Sequence, residues 1–244
     1  IDENDLLYLT DDGGHTVRKC TTEGKLLLEL GVPGKPSPYM SGLPFHRCTH
    51  TALSPAGEIY VSDGYGNARV HKYSPDGRHL LSWGEPGTDP GQFNIVHNIV
   101  TDAEGWVYVA DRENHRVQVF NGKGKYETQW NNMHRPCALY CCGGKKPTFI
   151  IGELGPGMPV NSKHTNIGPR LTIVDRKGRT IQRLGGEHGP GQEPGKFLSP
   201  HGLAVDSKGS IYVGEVSYTN WPSTHPGVPV PKYLRSLQKL EKVK

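Results

Sequence analysis

An all-β fold, a β-propeller of four-stranded antiparallel blades, is predicted by three observations. A unit recurs with drift, most clearly in THTALSPAGEIYVSDGYGNARVHKYSPDGRHLLSWG at 49–84 and VHNIVTDAEGWVYVADRENHRVQVFNGKGKYETQW at 96–130. Each copy is a set of short apolar and β-branched runs rather than a helical stripe. Glycine turns punctuate the runs at fixed places. Such units cannot bury their apolar faces alone, so neighbours stack, and four strands per unit make blades around a central channel.

Along the chain, a strand ending in a carboxylate recurs as LLYLTD at Asp11, EIYVSD at Asp63, WVYVAD at Asp111, FIIGE at Glu153 and IYVGE at Glu215. After the first four come TVRKCTTEGKLLLELG, RVHKYSPDGRHLLSWG, RVQVFNGKGKYETQW and RLTIVDRKGRTIQRLG, hairpins turning at Gly24, Gly77, Gly124 and Gly178. The fifth copy ends differently, in the proline-broken WPSTHPGVPVP and then KYLRSLQKLEKVK. About five blades are expected in a single domain over 1–244. Aligning Tyr8 with Tyr60, Tyr108 and Tyr212 sets Ile1 inside a repeat. An incomplete N-terminal blade, with a further blade upstream, is therefore expected.

Composition narrows the function classes. The 32 glycines and 20 prolines sit in periodic turns, which argues against disorder. A formal charge of +4 with scattered Lys and Arg gives no footprint for nucleic acid. No apolar run is long enough to span a membrane as a helix.

The repeat aligns the candidate functional residues. His50, His97, Cys137 and His201 are expected to open the innermost strand of successive blades, three imidazoles and a thiol aimed at one axis. The first strand leaves one face of a blade and the second returns to it. Asp63, Asp111, Glu153 and Glu215 are therefore expected at the same face, with Tyr65 and Arg112 just beyond two of them. Neutral imidazole is the commonest ligand of Zn²⁺, so the ring is either a metal site or a set of histidines bonded to neighbouring backbone. Asp63 and Asp111 precede turns and then NARV and NHRV. Their simplest role is to accept turn N–H groups or to pair with Arg69 or Arg116. The segment GPGMPVNSKHTNIGP at 155–169 exceeds what a connection needs and could roof the channel.

NARV and NHRV after YVSD and YVAD are marks of NHL repeats. QFNIVHNIV, YVSDGYGNARV, SWGEPGTDPGQF, YVADRENHRVQVF and SPHGLAVDSKGSIYVGE closely resemble the lyase domain of peptidylglycine α-amidating enzymes, across most of 46–130 and 197–220. The resemblance implies an NHL-type propeller of six blades in the full-length protein. It also implies a zinc-dependent lyase that cleaves peptidyl-α-hydroxyglycine to a peptide amide and glyoxylate. On this basis His97 and His201 match zinc ligands, Tyr65 the catalytic tyrosine and Arg112 an arginine of the active face. His50 would substitute for, or add to, the third ligand, which by register falls before Ile1. Two positions depart from the family. Gly202 follows His201 where the family has an aspartate that takes part in binding Ca²⁺, and Gly66 follows Tyr65 where it has a disulfide cysteine. The Ca²⁺ site thus loses a ligand, and that disulfide cannot form.

In such an enzyme the metal polarises the substrate hydroxyl. A phenol, with an ordinary pKa near ~10, acts as base only beside a cation that stabilises its phenolate. The partners implied are a small-molecule or peptide substrate at one mouth of the channel and, in the alternative, a protein. That alternative is a non-catalytic NHL propeller serving as a protein-binding module, because one fold hosts many functions. Five cysteines, an odd number, leave at least one thiol unpaired within the chain and favour a reducing compartment. Cys48 and His50, two apart on one strand, could join Cys137 in a second metal set.

Overall fold

The computed structural model describes residues 1–187 and 189–242. The chain is an all-β, five-bladed β-propeller, each blade an antiparallel sheet whose strands pair in sequence order. The first sheet holds β1 (Leu7–Asp11), β2 (Thr16–Cys20) and β3 (Leu26–Gly31). The second holds β4 (Cys48–Leu53), β5 (Ile59–Asp63), β6 (Arg69–Tyr73) and β7 (His79–Trp83). The third holds β8 (Val96–Thr101), β9 (Val107–Asp111), β10 (Arg116–Phe120) and β11 (Tyr126–Trp130). β12 (Pro136–Cys141), β13 (Thr148–Glu153), β14 (Arg170–Asp175) and β15 (Thr180–Gly185) make the fourth. β16 (Pro200–Val205), β17 (Ile211–Glu215) and β18 (Leu237–Leu240) make the fifth, a three-stranded sheet like the first.

Packing divides the chain into two compact units, Ile1–Gln129 and Trp130–Lys244. In the first unit one apolar layer joins Val17 and Leu30 to Phe45, Ile59, Val61 and Tyr73. A second joins Tyr60 and Val70 to Phe93, Val96, Val107, Val109 and Phe120. Val61, Val96, Val107, Val109 and Phe120 are each 0% exposed, and each such side chain contributes about 1.5–3 kcal/mol of burial. The second unit has its own layer of Ile150, Leu171, Phe197, Ile211 and Val213.

The hairpin glycines have a packing reason. Gly124 turns with φ +75°, and a Cβ there would stand 2.9 Å from the Trp83 ring. Where the sequence reads as proline-broken, the structure forms a short helix, α1 (Ser217–Thr224), with Pro222 inside it. Trp221 anchors it, being 7% exposed with its indole N–H 3.1 Å from the Pro229 carbonyl. Within the second unit the 155–169 segment is pinched at its base. Gly155, at φ +78°, lies so close to Gly168 and Pro169 that a Cβ would meet backbone at 2.6 Å. Met158 and Val160 stand exposed nearer its middle.

Candidate active site

Four blades open on one backbone device. On the first strand of each, one residue is skipped in the pairing: between Cys48 and His50, Val96 and Asn98, Pro136 and Ala138, and Pro200 and Gly202. The skipped residues are Thr49, His97, Cys137 and His201. Such β-bulges bend a strand and re-aim a side chain beside functional sites. The residue before each bulge pairs with the carboxylate that ends the second strand, respectively Asp63, Asp111, Glu153 and Glu215. Bulge residue and carboxylate thus share one end of each blade, as the repeat predicts.

This register corrects the alignment of His50. The position equivalent to His97, Cys137 and His201 is Thr49, while His50 falls with Asn98, Ala138 and Gly202. Simple alternation runs through the inserted residue, and one extra residue moves every later side chain to the other face. The His50 Nδ1 lies 3.2 Å from the Ile99 carbonyl oxygen, and the Thr49 hydroxyl lies 2.8 Å from the Val96 carbonyl oxygen. Counting back from the carboxylate exposes the shift in sequence alone, since 63 − 49, 111 − 97 and 215 − 201 are each 14.

In the first unit Tyr65, His97 and Arg112 come together. The Tyr65 hydroxyl lies 3.0 Å from His97 Nε2, and Arg112 Nη1 donates to the same oxygen at 3.2 Å. The His97 and Tyr65 rings meet edge to face at 5.7 Å. Arg112 also pairs with Glu113 at 2.8 Å. The phenol therefore sits between an imidazole and a guanidinium. Two glycines allow the approach. A Cβ on Gly64 would fall 1.9 Å from the Val96 carbonyl oxygen, and one on Gly66 1.8 Å from the His46 ring.

Arg47 belongs to the same cluster and was missed in the sequence. Its guanidinium lies 4.8 Å over the Tyr65 ring, nearer than that of Arg112 at 5.4 Å. Its backbone is left-handed, φ 62°, as are Ile95 at φ 59° and Arg135 at φ 54°, each two residues before a bulge residue. The left-handed region is costly for a β-branched residue such as Ile95. Non-glycine residues held there cluster at functional sites, where the surrounding structure over-determines them.

In the second unit Cys137 is buried and a donor atom of His201 lies within 4.8 Å of its Sγ. The carboxylates are clasps. Asp111 accepts from the Asn94 N–H, Asn114, Gln118 and the buried Arg116, whose Nε is 2.7 Å away. Burial pushes the Asp111 carboxyl above its ordinary range, against the pull of these donors. Asp63 takes the His46 N–H, Asn67 and His71 Nε2. Its partner is thus His71 and not Arg69, which lies against Gly42. Glu153 is gripped by Arg170 Nε and Nη2 and by Thr172, and Glu215 by the Leu198 and Ser199 N–H groups.

Cys20, Cys48 and Cys142 carry free thiols. Cys48 directs its thiol at the Thr16 carbonyl, 3.5 Å away, and burial pushes its pKa up. A thiol so placed is a weak donor in a core and a poor metal ligand. The bulge also separates its strand face from that of His50, which removes the basis for a Cys48–His50 set. Among the described residues no helix is long and apolar enough to cross a membrane.

The family model for the NHL repeat matches residues 93–120. NHL repeat-containing protein 3 of Mus musculus is 41% identical over 241 residues, covering 90% of this chain and 64% of that protein. Peptidyl-alpha-hydroxyglycine alpha-amidating lyase 1 of Drosophila melanogaster is 29% identical over 238 residues, covering 89% of this chain and 42% of that protein. The chain spans less than two thirds of the length of either relative. A streptogramin B lyase structure superposes with a TM-score of 0.61 over 100% of this chain and 67% of its own, at 13% identity, a likeness of fold alone.

Proposed function

From the premise that the chain is an NHL-repeat β-propeller resembling the peptidyl-α-hydroxyglycine α-amidating lyases, we propose that it is a zinc-dependent lyase of that type, or a related enzyme acting on a small carbinol. The observation that carries this reading is the convergence of Tyr65, His97 and Arg112.

The donor chemistry suits zinc. By the resemblance His97 and His201 would be zinc ligands, Cys137 shares their repeat position, and three protein ligands with an open fourth position are the pattern of catalytic zinc. The bound ion would supply Lewis acidity toward the substrate hydroxyl. His50 is left out of this set because the bulge register puts Thr49 in its place. Gly202 offers no side chain to Ca²⁺, so calcium forms no part of the proposal.

Tyr65 takes the hydroxyl proton of the carbinolamide. The O–H electron pair becomes the aldehyde C=O, the C–N bond breaks, and the amide nitrogen leaves with the proton that Tyr65 received. Arg112, donating to the Tyr65 oxygen, stabilises the phenolate that accepts that proton. The substrate is a small molecule or peptide.

Purified protein is expected to carry about one zinc per chain, to lose it in His97→Ala and His201→Ala, and to release glyoxylate from an α-hydroxyglycine peptide. Tyr65→Phe should keep the metal and lose about 10²–10⁴-fold in rate. Zinc without glyoxylate release would redirect the reading to another carbinol. Metal-free protein of unchanged stability in both histidine variants would overturn it in favour of a protein-binding propeller.

A further inference from the structure

We propose that Arg47 is a ligand-binding residue that recognises a carboxylate on the molecule reaching Tyr65. The proposal deepens the lyase reading and rests on it only for the identity of the reacting site. Three observations carry it.

First, Arg47 is positioned from both ends of its backbone. Its N–H donates to His15 Nδ1 at 3.0 Å, its carbonyl accepts the Tyr65 N–H at 3.4 Å, and φ is held at 62°. Second, the guanidinium lies over the Tyr65 ring at 4.8 Å, with Arg112 also over that ring. Two cations thus border the phenol, and stacking leaves the edge of a guanidinium available for planar hydrogen bonding. Third, the two differ in access. The Arg112 side chain is 11% exposed, whereas that of Arg47 is 49% exposed.

Arg47 Nη2 pairs with Asp12 at 2.7 Å, and Asp12 is itself 42% exposed on its side chain. That single bond uses one of five N–H donors, and a guanidinium fork can take a second carboxylate in bidentate fashion. Arg112 turns its Nη1 to the phenol and its Nε to Glu113. Arg47 is therefore the half of the pair that faces an incoming anion. The chemical class it selects is a small molecule or peptide ending in a carboxylate.

The test compares binding of a peptide ending in glycine carboxylate with the same peptide ending in carboxamide, by calorimetry on the full chain. Neither has a hydroxyl to eliminate, so the result is independent of lyase turnover, and glyoxylate release tests that reading separately. Wild type is expected to prefer the acid by about tenfold or more, the range of one charge-assisted hydrogen bond. Arg47→Met, which keeps a stacking stem, should bring the preference close to one with the amide affinity unchanged. Asp12→Asn, which frees the fork, should raise acid affinity and leave amide affinity alone. An acid preference that survives in Arg47→Met, or none in wild type, overturns the proposal. Should Arg47→Met fail to fold, the Asp12→Asn shift decides it.

Discussion

The blades β4–β7 and β8–β11 share strand lengths, a bulge, a left-handed residue two places before it and a carboxylate ending the second strand. They part at three side chains. The bulge residue is Thr49 in one and His97 in the other. The clasp is Asp63 with a buried His71 in one, and Asp111 with a buried Arg116 in the other. The outer strand opens with His79 in one and Tyr126 in the other. One backbone device therefore serves two ends. In β4 it turns a hydroxyl onto the next blade's carbonyl, and in β8 it brings an imidazole to Tyr65. What is shared is architecture, and what differs is chemistry.

The clasps offer the widest separation. Asp111→Ala leaves a buried guanidinium unpaired and is expected to cost about 3–5 kcal/mol in urea unfolding. Asp63→Ala removes hydrogen bonds from His46 N–H, Asn67 and His71 without stranding a guanidinium, and should cost about 1–3 kcal/mol. Equal losses would break the distinction between a clasp built on a guanidinium and one that is not.

Gly64→Ala comes next, because its Cβ would meet the Val96 backbone at 1.9 Å. The turn must move away from β8, at about 1–3 kcal/mol, and Tyr65 must part from His97. Stability and glyoxylate release should fall together. Unchanged release would mean that the contact between the two blades is not required for chemistry.

A smaller effect sharpens the contrast at the bulge. Thr49→Val removes a hydroxyl placed on the Val96 carbonyl and should cost about 1 kcal/mol, with zinc content and rate unaltered. His97→Ala, at the equivalent position, should act on zinc and rate instead. If Thr49→Val lowers either, the two bulges are not functionally distinct.

The smallest effect is in pH. Burial, and then the neighbouring His71, hold His79 below its ordinary 6.5. The folded protein thus binds fewer protons than the unfolded chain between that lowered value and 6.5. Stability rises with pH through this window and is lost as pH falls below 6.5. His79→Gln should flatten the slope, whereas Tyr126→Phe should leave it unchanged. Asp111 acts in a separate window with the opposite sign. Its carboxyl is raised above 3.8, so its contribution is fullest below 3.8 and falls as pH rises through the folded value.

Much of the site was legible in the chain. Tyr65 and Arg112 lie just after the carboxylates of the two most regular copies, and His97 and His201 stand 14 residues before a carboxylate. His50 misled because a bulge is not visible in an alternating pattern, and RCTHT offers two candidate registers. Arg47 escaped because HRC carries no motif. Its role depends on a left-handed backbone and on a ring 18 residues further on, 65 − 47. His71 is not singled out over Arg69 in the sequence, since both lie on one face of β6 and only packing decides which one reaches the carboxylate.

Sequence by itself determined the blades, their turns and the carboxylate that closes each, because alternation, glycine turns and hydrogen bonding within a hairpin act over short stretches of chain. Tertiary structure alone decided which partner fills each clasp, and that Tyr65, His97, Arg112 and Arg47 meet. Those outcomes depend on neighbouring blades packed against one another, and no local preference encodes the distance between side chains 32 residues apart.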